Sequence, residues 1–257
     1  MNKINKDVNY RNMAGSARLI LLAESSHNPA SFKYEAIRAL KQLRQAGFTH
    51  FAMEMLSHDM HERLTYFQKT GKGFESIKNH FKTNWDWGHG VANGYSQLAQ
   101  HAHKLGMKLV ALDVPAHIIT LMEQECSDKK IKAEVCDDAH QVRNDVWANL
   151  IASLLEDSSK NKVIAFMHRF HAIRAGKYRE GLDTLMITRG VHNIRLIEYI
   201  GGLSCYLPKQ CQGWSDEDAP LNQLYFSREG SDFDTPLKSF QVHIPERRVA
   251  EDGALSW

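Results

Sequence analysis

Short apolar runs rich in Val, Ile and Leu alternate along this sequence with longer stretches of helical periodicity. The runs lie at residues 18–23, 49–53, 108–112, 162–167 and 194–200. A strand-length apolar run followed by an amphipathic helix is typical of repeated β-α units, whose strands pair in parallel. The pattern therefore predicts an α/β fold with a mostly parallel sheet flanked by helices on both faces.

Two of the helices in this alternation carry clear sequence signals. The first begins at Asn28-Pro29, where Asn is a favourable cap and Pro suits the first turn. Its apolar residues recur at spacings of three and four, namely Ala30, Tyr34, Ile37, Leu40 and Leu43. The second covers residues 138–156, with Arg143 beside a predicted buried stripe. That stripe repeats at every fourth position: Val142, Val146, Leu150 and Leu154.

Residues 71–94 depart from the alternation, because they are rich in glycine and also contain Trp85 and Trp87. Glycine at this density favours a loop over a regular element, so we expect a lid or a pocket wall here. Together with Tyr95, the two tryptophans can hold a flat apolar ligand. The alternative is that these aromatic side chains anchor the loop to the core.

The composition changes after Gly202, where Pro, Trp, Tyr and Phe occur in short alternations such as residues 240–244. Alternation of this kind predicts short strands. We therefore expect an α/β core over residues 1–202 and a small β-rich C-terminal extension over residues 203–257, packed on the core.

Charge and composition limit the classes of partner. The formal net charge of +2 comes from 32 Lys and Arg and 30 Asp and Glu, scattered without a basic block, so nucleic acid is not an expected partner. Four cysteines are too few to cross-link a chain of this size and are expected to be reduced thiols. The N-terminus lacks the apolar stretch of a signal peptide, and no segment reaches the ~20 apolar residues of a membrane helix. We expect a cytoplasmic protein with no membrane partner.

Ionisable residues follow four of the predicted strands. These residues are Glu24, Glu54, Asp113 and His168. The carboxyl ends of parallel strands share one edge of a sheet, where ligands bind, so we expect the four side chains to lie close together. The alternative for each residue taken singly is a helix cap or a structural ion pair.

Three histidines lie next to these strand ends. His27 comes three residues after Glu24, so a carboxylate there can fix its tautomer and make it a general base. His168 and His171 form an H-x-x-H pair, which can supply an acid and a base, metal ligands or donors to an oxyanion, or can be structural. The sequence has no G-x-S-x-G elbow, Walker loop or G-x-G-x-x-G turn, which disfavours serine hydrolases and nucleotide chemistry.

Four stretches resemble motifs of one protein superfamily. Residues 21–27, LLAESSH, are similar to its G-E-x-x-H motif after strand one, and residues 51–54, FAME, to its acidic motif after strand two. Residues 143–149, RNDVWAN, are similar to its R-D-x-x-M-A-x-N helix, and residues 163–171, VIAFMHRFH, to its strand ending in H-N-x-H or G-x-x-H. In this order the motifs resemble the superfamily of erythromycin esterases, ChaN haem-binding proteins and Tiki/TraB proteins. Trp85, Trp87, Tyr95 and residues 112–115, LDVP, resemble the ChaN branch in particular.

The function that we favour from this resemblance is a hydrolase or related acyl-transforming enzyme. It would act on an ester, lactone or thioester carbonyl of a small-molecule or carrier-bound substrate, in a tailoring or biosynthetic pathway, with His27 oriented by Glu24 or Glu54 as the base. The predicted catalytic residues are Glu24, His27, Glu54, Arg143, His168 and His171. The predicted substrate-binding residues are Trp85, Trp87, Tyr95, Asp113 and Tyr178.

Two alternatives implied by the resemblance stay open. One is a haem-binding protein with Tyr95, Tyr178 or a histidine as axial ligand, and with the tryptophans against the ring. The other is a Tiki-like metallohydrolase that binds Mn²⁺ or Zn²⁺ through His27, Glu54 and a histidine of the H-x-x-H pair. The sequence favours neither haem nor a divalent metal as a cofactor. Whether the protein forms a homodimer also stays open.

Overall fold

The computed structural model describes residues 7–86, 90–127, 133–173, 179–201, 203–207, 210–213 and 225–245. The strands are β1 (Leu19–Glu24), β2 (His50–Ser57), β3 (Lys108–Asp113), β4 (Val163–His168), β5 (Ile194–Gly201), β6 (Leu203–Leu207), β7 (Gln210–Gly213), β8 (Phe226–Glu229) and β9 (Lys238–Ile244). The helices are α1 (Tyr10–Ala14), α2 (Ala30–Gln45), α3 (His61–Thr70), α4 (Phe74–Asn84), α5 (Val91–Lys104), α6 (Ala116–Ser127), α7 (Ala133–Asp157), α8 (Arg169–Ala172) and α9 (Leu182–Thr188).

Within these residues, seven strands form one sheet in the order β3-β2-β4-β1-β5-β9-β8. All neighbouring pairs are parallel except β8 and β9, which are antiparallel. Strands β6 and β7 form a separate antiparallel hairpin. Strand β1 is the fourth strand in this order, so it lies at the centre of the sheet between β4 and β5.

The sheet is covered on both faces because its central strands are apolar on both sides. In β1, Ile20 and Leu22 pack with residues of α2 and α5, whereas Leu19 and Leu21 pack with residues of α7 and α9. All four side chains are fully buried. Strands without a polar face require cover on both sides, which is why parallel sheets occur between two helix layers. The predicted α/β class is confirmed, including its mostly parallel sheet and small C-terminal strands.

The C-terminal part of the chain contributes to the main sheet. Strand β9 pairs in parallel with β5, and its residues Val242 and Ile244 belong to the same core as α2 and α5. The boundary expected at residue 202 stays a prediction, with β8 and β9 lying beyond it and extending the sheet.

The structure differs from the pattern-based expectation at two places. Residues 71–94 are not a loop, because α4 and the start of α5 lie within them, and Gly71 and Gly73 cap helices with φ of 69° and 84°. The buried stripe of α7 is also different, since Val142 and Val146 are exposed while Trp147 is fully buried. A strict four-residue repeat turns by ~40° per step around a helix of 3.6 residues per turn, so it leaves the core-facing side.

No helix of the described residues combines the length and the apolar character needed to cross a membrane.

The outer edge of β3 is closed by the side chain of Gln68, from α3. Its Oε1 atom accepts the Leu109 N–H at 2.8 Å, and its Nε2 atom donates to the Leu109 carbonyl at 3.2 Å. Strand β3 is at one end of the strand order, where backbone groups have no neighbouring strand. One glutamine therefore satisfies both backbone groups of a buried edge residue.

We expect Gln68→Ala to lower the free energy of unfolding by about 1–2 kcal/mol, because it leaves both groups of Leu109 without their partner. Urea denaturation followed by circular dichroism measures this change. The control is Gln100→Ala, which removes an exposed 3.4 Å hydrogen bond from Lys104. Equal stabilities of the two variants would contradict the assignment.

Candidate active site

A cavity of about 380 Å³ lies at the carboxyl ends of the central strands. Its wall brings together seven of the residues predicted for the site: His27, Glu54, Trp85, Asp113, Arg143, His168 and His171. Glu24 is fully buried beside this wall, where its carboxylate contacts His27 and its backbone pairs with that of His168. Residues far apart in the sequence thus share one pocket, as the parallel topology requires.

His27 is held by the carboxylate of Glu24, the last residue of β1. The His27 Nδ1 atom lies 2.6 Å from Glu24 Oε1. Burial alone would raise the pKa of Glu24, but Lys33 and His27 lower that pKa below its ordinary value. Glu24 is therefore ionised and accepts the Nδ1 proton. In the neutral imidazole, Nε2 is then the basic nitrogen.

Glu54 lies within β2 and not after it, because β2 continues beyond this residue to Ser57. Glu54 Oε2 accepts the backbone N–H of His168 at 2.7 Å. Glu54 Oε1 lies 3.4 Å from Arg143 Nη2 and 3.8 Å from His27 Nε2. Burial raises the pKa of Glu54, although His27 and Arg143 oppose it. The pKa shifts of the two glutamates are thus opposite, a combination typical of acid–base sites.

Asp113, at the end of β3, holds Arg143 of α7. Arg143 donates from Nε to Asp113 Oδ1 at 3.0 Å and from Nη2 to Asp113 Oδ2 at 2.6 Å. Trp147 Nε1, one turn along α7, also donates to Asp113 Oδ1 at 3.1 Å. A two-point pair of this kind fixes the guanidinium plane. Asp113 also lines the cavity, so its predicted contact with substrate stays a prediction, and its carboxylate directs Arg143 toward Glu54 in the cavity wall.

His168 and His171 have opposite hydrogen-bonding roles. His168 Nδ1 accepts the backbone N–H of Phe170 at 3.2 Å, so its neutral ring carries the proton on Nε2. His171 Nδ1 lies 2.6 Å from Asn144 Oδ1, and Asn144 Nδ2 donates to the Glu180 carbonyl at 2.8 Å. This second contact fixes the amide orientation, so His171 donates from Nδ1, and its Nε2 is an acceptor 3.6 Å from Glu54 Oε1.

Both imidazoles are neutral near pH 7. Burial, followed by the proximity of the His27 imidazole, lowers the pKa of His168 to about 3. Burial, followed by the positive charge of Arg143, lowers the pKa of His171 well below its ordinary value. The H-x-x-H pair therefore supplies one N–H donor and one acceptor, and neither ring serves as a strong acid.

The predicted aromatic residues separate in the structure. Trp85 lines the cavity, with its ring edge-on to His27 at a centroid distance of 5.2 Å. Tyr95 is fully buried outside the cavity wall, and its hydroxyl donates to Glu24 Oε1 at 2.5 Å. Tyr95 therefore does not make the ligand contact that the sequence predicted. Trp87 and Tyr178 lie outside the described residues.

Residues 11–134 match a family model described as haem-binding uptake, Tiki superfamily, ChaN. The chain is also similar to a solved structure of Campylobacter jejuni ChaN that concerns cofacial haem binding, with 13% identity, a TM-score of 0.52, and coverage of 94% of this chain and 96% of that chain. This chain is thus similar to the ChaN proteins of the Tiki superfamily. No curated protein matches its sequence.

Two further solved structures share this fold. A succinoglycan biosynthesis protein has a TM-score of 0.60 at 12% identity, covering 92% of this chain and 89% of that one. RRSP, an effector domain of a Vibrio vulnificus MARTX toxin, has a TM-score of 0.55 at 13% identity, covering 83% of this chain and 38% of that one. At such identities the likeness concerns the fold alone.

Lys33 and Asn144 are among the side chains of the site that could not be found from the pattern of strand ends. Lys33 lies on the apolar stripe of α2, and a lysine on a buried stripe is a signal that could have revealed it. Asn144 lies three residues before Trp147 on the true buried stripe of α7 and is fully buried. The apolar wall residues Ile119 and Phe170 gave no comparable signal.

The metal centre implied by the resemblance stays a prediction. Among the residues that the structure describes, no group of three or more His, Cys, Asp or Glu side chains is placed to hold a metal ion. His27 Nε2 and His171 Nε2 approach Glu54 Oε1 at 3.8 and 3.6 Å, but the neutral Nε2–H of His168 is a donor and not a ligand atom.

We expect the neutral His168 to make stability depend on pH. Its pKa is about 3 in the folded protein and about 6.5 in the unfolded chain, so between these values only the unfolded chain binds the proton. Stability therefore falls as the pH decreases below 6.5, by up to about 1.4 kcal/mol per pH unit from this group. His168→Asn keeps a side-chain acceptor for the Phe170 N–H and should give a shallower slope.

Urea denaturation between pH 6.5 and 4.5 measures that slope. The matched control is His192→Asn, at an exposed residue before β5. An equal slope for wild type and His168→Asn would show that His168 is not held neutral by the fold.

Proposed function

We propose that this ChaN-like protein is a metal-independent hydrolase or related acyl-transforming enzyme, acting on an ester, lactone or thioester carbonyl. The observation that carries the proposal is the 2.6 Å contact between His27 Nδ1 and the fully buried, ionised Glu24, which turns His27 Nε2 toward the cavity. An imidazole that is fixed by a carboxylate is a typical general base.

The proposed step begins with a water molecule between His27 Nε2 and Glu54 Oε1. These atoms are 3.8 Å apart, so one water molecule can donate a hydrogen bond to each of them through its two O–H groups. As the water oxygen bonds to the carbonyl carbon, one water proton moves to His27 Nε2 and the carbonyl electron pair moves to its oxygen. The oxyanion electron pair then re-forms the carbonyl as the carbon–oxygen or carbon–sulfur bond breaks, and the same proton passes from His27 to the leaving oxygen or sulfur.

Two donors in the wall can stabilise the oxyanion. His168 carries its proton on Nε2, and Arg143 carries a positive charge that is oriented by Asp113. Preorganised donors of this kind need no reorganisation as charge develops. The low pKa of His168 keeps it a neutral donor throughout the working pH range.

The remainder of the wall indicates an apolar acyl group. Met55, Trp85, Ile119 and Phe170 line the cavity beside the polar cluster. A volume of about 380 Å³ is in the lower part of the range for small-molecule sites. We therefore propose a small acyl substrate, either as a free molecule or presented by a carrier.

We expect His27→Gln to lower turnover about 10²–10⁴-fold, because the base is lost while most of the ring volume is kept. The probes are p-nitrophenyl acetate, γ-butyrolactone and an N-acetylcysteamine thioester, with product release measured at pH 7.5. Glu24→Gln should cause a similar loss, since it can no longer hold the Nδ1 proton in the same way. His192→Gln, at the opposite edge of the sheet, is the control. Unchanged turnover in folded His27→Gln would refute this role.

Haem binding is the second candidate, and the family match over residues 11–134 favours it. Of the predicted axial ligands, Tyr95 does not fit, because it is buried and its hydroxyl is committed to Glu24. His168 does not fit either, since its Nε2 carries the proton. His27 fits, because its basic Nε2 faces the cavity and a carboxylate at Nδ1 strengthens a histidine ligand.

A haem titration separates this candidate from the hydrolase. If the protein binds haem through His27, micromolar haem gives a shifted, stoichiometric Soret band that His27→Gln abolishes and His192→Gln retains. If the protein is only a hydrolase, no saturable band forms.

A further inference from the structure

Lys33 crosses beneath the Glu24–His27 pair without reaching the cavity. Its side chain, from α2, is fully buried, and its Nζ atom lies 2.8 Å from Glu24 Oε2. The same atom donates to the backbone carbonyl of His27 at 2.5 Å and to that of Pro29 at 3.3 Å. The ammonium group thus donates to two backbone carbonyls and forms an ion pair with the carboxylate, which fits its charged form.

Tyr95, from α5, holds the other oxygen of the same carboxylate. Its hydroxyl donates to Glu24 Oε1 at 2.5 Å and lies 3.1 Å from His27 Nδ1. Its ring lies under the Lys33 ammonium, with Nζ 4.5 Å from the ring centroid, a distance typical of cation–π contacts. Lys33 and Tyr95 thus fix the two carboxylate oxygens from two different helices.

Gly94 allows the two helices to approach at this point. A Cβ atom added at Gly94 would lie 3.0 Å from Lys33 Cβ and 3.2 Å from Lys33 Cγ. Glycine inside a helix such as α5 is about 1 kcal/mol less favourable than alanine. The residue beside Tyr95 therefore has the small size that the passage of Lys33 requires.

We propose that Lys33 and Tyr95 are positioning residues for His27: together they hold Glu24 in one orientation as an anion, and Lys33 also fixes the backbone of the loop that carries His27. This inference rests on the proposed role of His27 as the base. Neither residue lines the cavity, so both act through Glu24 and do not touch the substrate.

The electrostatics of the surroundings agree with this arrangement. Glu24 would be costly as a buried anion without a cation, and Lys33 has the largest lowering effect on its pKa. Burial lowers the pKa of Lys33, and Glu24 and the more distant Glu54 oppose this. Burial, followed by the charge on Glu24, raises the pKa of Tyr95 well above its ordinary value, so the hydroxyl keeps its proton and acts as donor.

The test uses Lys33→Met, which removes the cation and keeps most of the stem, and Tyr95→Phe, which removes only the hydroxyl. The first measurement is the downfield ¹H NMR resonance of the His27 Nδ1 proton, assigned as the signal that is absent from His27→Gln. The second is kcat and KM for p-nitrophenyl acetate. The control is Lys162→Met, because Lys162 also donates to a backbone carbonyl, that of Ala46, and lies over an aromatic ring, that of Phe48, at the opposite edge of the sheet.

In Lys33→Met we expect the Nδ1 resonance to broaden or disappear through exchange with water, because the loop and the carboxylate are no longer fixed. We expect kcat to fall about 10- to 100-fold with KM within about 2-fold, as for a misplaced catalytic group. In Tyr95→Phe the resonance should remain but shift downfield, since His27 no longer shares Glu24 Oε1. Lys162→Met should leave the resonance and both constants unchanged.

A folded Lys33→Met with the wild-type position and width of this resonance overturns the inference, whatever its melting temperature. If Lys33→Met does not fold, an unshifted resonance in Tyr95→Phe overturns it instead. If the resonance responds as expected but the wild-type protein hydrolyses none of the three probes, the positioning role stands and the proposed function fails.

Discussion

The site depends on the burial of three carboxylates at one edge of a parallel sheet. Glu24, Glu54 and Asp113 are 0%, 3% and 2% exposed. An ionised carboxylate in such surroundings is strongly destabilising unless a cation and hydrogen bonds compensate it. Lys33 of α2 compensates Glu24, while Arg143 of α7 compensates Asp113 and approaches Glu54. Since these helices lie on opposite faces of the sheet, the requirement for compensation fixes how both helix layers face its edge.

The same compensation determines the protonation of the histidines. Because Glu24 is ionised, His27 donates from Nδ1, and its basic nitrogen is Nε2. Because Phe170 donates to His168 Nδ1, His168 presents an N–H, and because Asn144 accepts from His171, His171 presents an acceptor. One nitrogen of each ring is held by the scaffold, so the other has a defined role in the cavity. The chemical character of the pocket thus follows from contacts that lie outside it.

The fold and the location of the candidate site could be predicted from the apolar runs. These runs mark the strands, and the ends of the strands mark the edge of the sheet where the site lies. The rotation of helices about their axes could not be predicted, as Val142 and Val146 on α7 show. Spacing also gave no indication that Tyr95 would turn toward Glu24, since that contact joins residues 71 positions apart in the sequence. Glycine was misleading for a different reason: Gly71 and Gly73 end one helix and begin the next, a role that composition does not distinguish from a loop.

Hydrolysis and haem binding would use the same atom, His27 Nε2, so the surroundings of that atom decide between them. An N–H of His168 and the guanidinium of Arg143 face the same cavity, and both favour a ligand that develops negative charge. Trp85 stands edge-on to His27 at 5.2 Å, so a large planar ring bound over the imidazole must share space with it. A small carbonyl compound meets no such constraint, because it needs only the space between His27, Glu54 and these donors. We therefore propose the hydrolase ahead of the haem site, and both proposals depend on the same buried pair of Glu24 and Lys33.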